Sequence, residues 1–265
     1  MGDIVSEESV LYETYENVAL ISHNRPTKMN ASSKDLRLEL RRAMNKAEND
    51  EAIRVVVLTG EGRAFQAGAD LKDEYSSDHR TISEHILLDH KPLIDNIRRS
   101  EKTYIAAVNG AAAGIGMSYA LACDLVMMAE SAYLYSPFAS IGLVPDGGAC
   151  HFLLTKLGRH RAYQFIVESQ RLTAAECHEL GVANKVAPDE GFRAAVLEWA
   201  RDLSSDRAPL PMRYVKSILN ALENDDYDQA VHLEAEFQHT CDQSKDMKEG
   251  VNAFFEKRKP VFTGQ

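Results

Sequence analysis

Cysteine is scarce and dispersed: Cys123, Cys150, Cys177 and Cys241 are the four in 265 residues, and none forms a Cys-x-x-Cys pair. That is too few for a disulfide framework and fits a reducing, cytoplasmic setting. The nine histidines include no His-x-x-x-His or His-Glu-x-x-His pair, so no metal site is expected. No Gly-Lys-Ser/Thr follows a glycine-rich stretch, which excludes a P-loop. Basic charge is in deficit, 30 Lys and Arg against 40 Asp and Glu, for a net charge of -10. Such a surface repels phosphate backbones and anionic membranes, so neither nucleic acid nor membrane is an expected partner. No succession of charged, apolar and cleavage-site residues marks a signal peptide, and the formal myristoylation match of Met1 to Ser6 lacks a basic patch. Internal repeats and low-complexity segments are missing as well.

What remains is 45% apolar and 26% charged, the balance of a globular protein with one large core. The first half alternates strand-like and helix-like stretches, which predicts an α/β domain with a mainly parallel sheet. Strands are expected at Val18 to Ile21, Val55 to Gly60, Tyr104 to Val108, Leu125 to Ala129 and Tyr133 to Tyr135. A helix from about Ser33 to Asn49 repeats Leu36, Leu40, Met44 and Ala47 at helical spacing. Thr103 to Cys123 contains no charged residue, long enough to suggest a membrane span, but its glycines and Asn109 instead predict a buried strand, a turn from Gly110 to Gly116 and a buried helix. Lys72 to Asp89 is polar and weakly periodic, so a mobile loop or short helices are expected, with His85 and His90 in solvent. After Pro145, helices are expected over 151–157, 161–167, 174–180 and 192–203, with a last short strand at 182–186. From Pro209 onward the chain is charged and helical.

Four stretches could carry chemistry. Phe65 to Asp70 and Gly110 to Gly116 are glycine-rich turns at the carboxyl ends of strands, where open α/β sheets bind ligands. They can aim backbone N–H groups at an oxyanion, although glycines there equally serve tight packing. Gly116-Met117-Ser118-Tyr119-Ala120 nearly spells a nucleophile elbow but lacks its second glycine, so a serine hydrolase using Ser118 is an alternative of a different class. Asp146 follows Phe138, Ile141, Leu143 and Val144 and stands between Pro145 and Gly147-Gly148. Apolar surroundings would raise its pKa and make it a general base; it also stands where a helix begins, and on spacing alone an N-cap is the commoner role.

Ala67-Gly68-Ala69-Asp70, Ala107-Val108-Asn109-Gly110 with Ala113-Gly114-Ile115-Gly116, Cys123-Asp124, Ser136-Pro137 and Ile141 to Pro145 together resemble the crotonase superfamily, the enoyl-CoA hydratases and isomerases. Leu172-Thr173-Ala174, Glu179 to Val182 and the stretch from Glu249 to Pro260 extend the likeness over nearly the whole chain. The resemblance implies an α/β spiral core of ββα repeats, taken as residues 1–200, and a C-terminal helical trimerisation region, 201–265. It implies an acyl-CoA thioester as partner, no separate cofactor because CoA is part of the substrate, and a homotrimer or hexamer.

The resemblance also assigns residues. The N–H groups of Ala69 and Ile115 match the oxyanion-hole donors; Ala67, Gly68, Asp70, Leu71, Lys72, Gly114, Phe138 and Lys257 match substrate-binding positions, with Lys72 and Lys257 near the CoA phosphates. The two hydratase glutamates are replaced by Ser118 and Phe138. The isomerase branch places its acid/base in the Pro-Asp/Glu-Gly stretch, where Asp146 stands, and Pro145 to Gly148 is especially similar to ring 1,2-epoxyphenylacetyl-CoA isomerases. This implies migration of a 3-enoyl to a 2-enoyl double bond. A hydratase-type lyase with atypical carboxylates is the alternative within the family. A 4-chlorobenzoyl-CoA dehalogenase would need Trp where Phe138 stands and His where Asp95 stands, and net acidity counts against an RNA-binding relative.

Overall fold

Uninterrupted runs of β-branched residues demand burial on both faces, and a parallel sheet with helical cover supplies it. The computed structural model describes residues 8–70 and 81–261. Strands β1 (Val10–Tyr15) and β2 (Val18–His23) pair antiparallel and lead into α1 (Lys34–Asn49). Ser33 caps this helix, its hydroxyl accepting the Leu36 N–H at 3.3 Å. There follow β3 (Val55–Gly60), β4 (Ala64–Gln66), α2 (Ile82–His85), a π-helical turn over Ile86–His90 and α3 (Lys91–Arg99). Next come β5 (Thr103–Val108), β6 (Ala111–Ala113), α4 (Ile115–Ala122), β7 (Leu125–Ala129) and β8 (Tyr133–Tyr135). The rest is α5 (Ala149–Val167), β9 (Arg171–Thr173), α6 (Ala174–Glu179), β10 (Lys185–Ala187), α7 (Phe192–Asp206), α8 (Pro209–Asp242) and α9 (Lys245–Glu256).

Successive strand pairs divide between two sheets. β3, β5 and β7 lie in a six-stranded sheet of order β1-β2-β3-β5-β7-β10, and their followers β4, β6 and β8 lie in a four-stranded sheet β4-β6-β8-β9. Apart from the β1–β2 and β8–β9 pairs, all neighbours run parallel. Val55, Val56, Val57 and Leu58 are fully buried, as their sequence requires, and every residue of α4 is buried. The uncharged stretch from Thr103 to Cys123 is therefore β5, β6 and α4, interior elements of a globular core. Among the described residues no helix is long and apolar enough to cross a membrane.

Several expectations are corrected. Ala111–Ala113 is a strand inside what reads as a single glycine turn, because three small residues can pair between β4 and β8 in the crowded second sheet. β1 has no strand signature, its burial being partial. The last strand falls at Lys185–Ala187, where it pairs with β7, rather than at 182–186. Residues 151–167 form one element broken at Gly158, whose φ of 72° no helix permits. His85 and His90 are 4% and 1% exposed, not solvated: α2 begins with a Thr81/Glu84 capping box and continues through the π-helical turn into the interior.

α8 is fastened to the core by polar contacts from within its buried face. Lys216 pairs with Asp124 at 2.8 Å, and Asp124 in turn accepts the Tyr104 N–H that opens β5 at 2.8 Å. Further along, Glu234 and Gln238 reach the segment that leads into α5.

Candidate active site

The ends of β4 and β6 meet through two glycines that no other residue replaces easily. Gly68 has φ 100° and Gly114 φ 54°, conformations a side chain resists. A Cβ on Gly114 would lie 3.5 Å from the Gly68 Cα, so the two turns abut.

Each turn leaves one N–H unspent. Ala69 stands opposite Ser32 in a parallel bridge whose bonds are made by its neighbours, Ser32 N–H to the Gly68 carbonyl at 2.7 Å and Asp70 N–H to the Ser32 carbonyl at 3.1 Å. The Ala69 N–H therefore faces the other way. Ile115 is the first residue of α4, where helical N–H groups have no intrahelical acceptor. Neither N–H has an acceptor among the described residues, and both residues line one cavity of about 310 Å³. Ala67, Gly68, Gly114, Phe138 and Asp146 line it too.

Asp146 is 9% exposed and its Oδ1 makes no hydrogen bond. Burial first, and the Glu234 carboxylate second, push its pKa up to about 8. It does not cap α5. The capping position is Gly148, and the acceptor is Glu234 of α8, which takes the Gly148 N–H at 2.7 Å and the Cys150 N–H at 2.8 Å. Glu234 is itself buried, and burial raises its pKa to about 7. With that cap supplied from another helix, the Asp146 carboxyl is left to the cavity.

Ser118 is fully buried, lies outside the cavity lining and donates its hydroxyl to the Asp146 carbonyl at 2.9 Å. Among the described residues it bonds no imidazole, so it holds the Asp146 backbone and is no activated nucleophile; the serine hydrolase alternative loses its residue. Asp70 does not line the cavity, and its carboxylate pairs with Arg25 at 3.0 Å, fixing the turn. Leu71 and Lys72 lie outside the described residues. Lys257 is an exposed residue at the end of α9 with φ 55°, away from the cavity lining, while Phe254 of the same helix reaches the cavity.

Spacing did not single out Glu234, Gln238, Arg171, His85, His90 and Tyr119. One signal was available: Val231, Glu234, Ala235 and Gln238 recur at helical spacing and are all buried, so a carboxylate sits within an otherwise core-facing stripe. Gln238 accepts the Val144 N–H at 3.0 Å, and Arg171 lies over Tyr133 and Tyr135 at the cavity wall. Among the described residues no His, Cys, Asp and Glu cluster could hold a metal ion.

The sequence profile of the enoyl-CoA hydratase/isomerase family matches residues 13–265. The chain is 32% identical over 261 residues to the 1,2-epoxyphenylacetyl-CoA isomerase of Escherichia coli K12, covering 97% of this chain and 99% of that one. It is 36% identical over 265 residues to a probable enoyl-CoA hydratase of Rhodobacter capsulatus, covering 98% and 100%. The crystal structure of an enoyl-CoA hydratase from Mycobacterium avium subsp. paratuberculosis superposes with a TM-score of 0.86 at 32% identity, over 96% of this chain and 98% of that one. Two abutting N–H turns beneath a doubled sheet, matched along almost the whole chain, make this protein a member of the enoyl-CoA hydratase/isomerase family, an acyl-CoA enzyme of the crotonase superfamily.

Proposed function

We propose that the protein is an enoyl-CoA isomerase that converts a 3-enoyl-CoA to the conjugated 2-enoyl-CoA. One observation carries this reading: among the described residues that line the cavity, Asp146 is the one carboxylate. Adding water across a double bond requires one group to activate the water and another to protonate the alpha carbon. The positions that hold those carboxylates in hydratases are here Ser118, tied to a carbonyl, and Phe138, 5% exposed and apolar. Moving a double bond needs a single proton carrier.

The Ala69 and Ile115 N–H groups receive the thioester oxygen, and their hydrogen bonds strengthen as negative charge develops on it. Asp146 takes the C2 proton, the electron pair delocalises onto that oxygen as a dienolate, and the same carboxyl returns the proton to C4. One proton leaves and one arrives, and the double bond moves from C3–C4 to C2–C3. A carboxyl with a pKa near 8 serves both halves, being basic enough to accept the proton and acidic enough to give it back.

The same reading has the chain working as a trimer or a pair of trimers. Its support is a row of exposed apolar residues on α8, Leu210, Tyr214, Val215, Ile218, Leu219 and Leu222, larger than single surface apolar residues explain. Incubation with 3-hexenoyl-CoA and, separately, 2-hexenoyl-CoA tests the activity: conjugation of the first should far outpace hydration of the second, and comparable rates would overturn the assignment. Sedimentation of the purified protein checks the assembly.

A further inference from the structure

The Asp146 cavity is apolar over most of its wall, yet two imidazoles line it, and each is held in place from behind. His85 Nδ1 meets Asp89 Oδ2 at 2.7 Å, and Arg37 stands 3.7 Å from the same carboxylate oxygen. His90 Nδ1 meets the Tyr119 hydroxyl at 2.8 Å. In an α-helix, residues five apart point about 140° away from each other. The π-helical turn between them, with its i→i+5 bonding, instead brings the two rings within 4.7 Å, edge to face. Such turns cost hydrogen-bond geometry and recur at functional sites.

The ring proton of His90 follows from the hydrogen bonds. Burial, reinforced by His85 and Arg37, holds the imidazole well below its usual pKa, so it is neutral. Burial raises the Tyr119 hydroxyl pKa, so the hydroxyl keeps its proton; Ser32 stands to the Tyr119 oxygen as a donor, which leaves His90 Nδ1, 2.8 Å away, to accept the Tyr119 proton. A buried hydroxyl satisfies its donor, which leaves Nδ1 as acceptor and places the imidazole proton on Nε2. Among the described residues Nε2–H has no hydrogen-bond acceptor, and His90 lines the cavity. The position relative to Asp146 is fixed through α4 and α3. Ser118, which precedes Tyr119, donates to the Asp146 carbonyl. Ile94, one turn beyond His90, would lie 2.9 Å from a Cβ on Gly147.

We propose that His90 Nε2–H is an acyl-end subsite that donates to an oxygen on the substrate's acyl group, so that the preferred substrate is an acyl-CoA oxygenated away from the thioester, as hydroxyl, oxo or ring ether, rather than a plain alkyl ester. This rests on the acyl-CoA site described above and deepens the isomerase reading, but it concerns binding and stands apart from turnover. An alkyl chain would leave the donor unpaired in a dry pocket, whereas an oxygen in reach completes it.

The test uses saturated esters, which bind without reacting. Titration calorimetry of the wild-type protein should show 6-hydroxyhexanoyl-CoA binding several-fold to about tenfold tighter than hexanoyl-CoA, the worth of one neutral hydrogen bond. Equal affinities, or tighter binding of the alkyl ester, would overturn the subsite, and neither result depends on whether a double bond moves. His90→Leu should collapse the affinity ratio towards one. Tyr119→Phe, which spares His90 but frees its tautomer, should reduce that ratio in a chain that keeps the imidazole; a ratio unchanged in both folded variants would also overturn the assignment. Loss of isomerase activity on 3-hexenoyl-CoA with the ratio intact would fault the isomerase reading alone.

Discussion

The carboxylate of Glu234 accepts the Gly148 N–H at 2.7 Å and so caps a helix that Asp146, two residues earlier, would otherwise cap. One acid does the structural work, and its charge keeps the other a stronger base. Glu234→Gln removes that charge and turns an amide N–H towards the Cys150 N–H that Glu234 Oε1 now accepts. A like charge raises a carboxyl pKa, so its removal lowers that of Asp146. The acid limb of the pH profile of kcat/KM should move to lower pH, with turnover at the plateau down by about tenfold as the base weakens. A stability loss with no movement of the limb would make Glu234 a structural cap only.

Asp146→Asn keeps size and an accepting oxygen but cannot take a proton. General acid/base groups contribute ~100- to 10,000-fold, so isomerisation should fall by that order with acyl-CoA binding nearly intact. Retention of near wild-type turnover would return Asp146 to a structural role and assign the proton transfer to another group.

The same substitution should change stability with a definite sign. The Asp146 pKa is about 8 in the folded protein, above the ordinary carboxylate range of the unfolded chain. The folded state therefore binds the proton more tightly, and this contribution is fully present below about pH 4 and lost as pH rises through about 8. Asn carries no such penalty. The melting temperature of Asp146→Asn relative to wild type should rise by several degrees between pH 5 and pH 9; a difference flat across that range would contradict the raised pKa. Glu234 is present in both proteins, and through its charge on Asp146 it contributes to the raised pKa that the comparison reads.

The central strands and both N–H turns were legible because each is written locally: Val55 to Leu58 cannot avoid two-sided burial, and Gly68 and Gly114 mark conformations other residues resist. The role of Asp146 was not. Spacing put it at a helix start, and only the arrival of Glu234, 88 positions away in the chain, decides between cap and free carboxyl. His85 and His90 misled for a related reason. Their segment is polar at its beginning, and the π-helical turn that rotates both rings inward has no sequence period that a helix or strand template detects.

Binding of CoA phosphates should depend on Arg171 more than on the basic C-terminal cluster. Arg171 is the one Lys or Arg that lines the cavity among the described residues, and it lies over the Tyr133 and Tyr135 rings at 4.8 and 5.2 Å, which fixes its guanidinium on the wall. Arg258 is committed to Glu249 and Glu256, and Lys257 and Lys259 are exposed beside it. Arg171→Ala should therefore raise KM for a 3-enoyl-CoA by about tenfold, the worth of a charge-assisted contact, with kcat little changed because no reacting atom is touched. Lys257→Glu with Lys259→Glu should raise it less in a single protomer. If the C-terminal double variant instead has the larger effect, these lysines reach the phosphates of a neighbouring subunit's CoA, and the increase should disappear under conditions that dissociate the assembly.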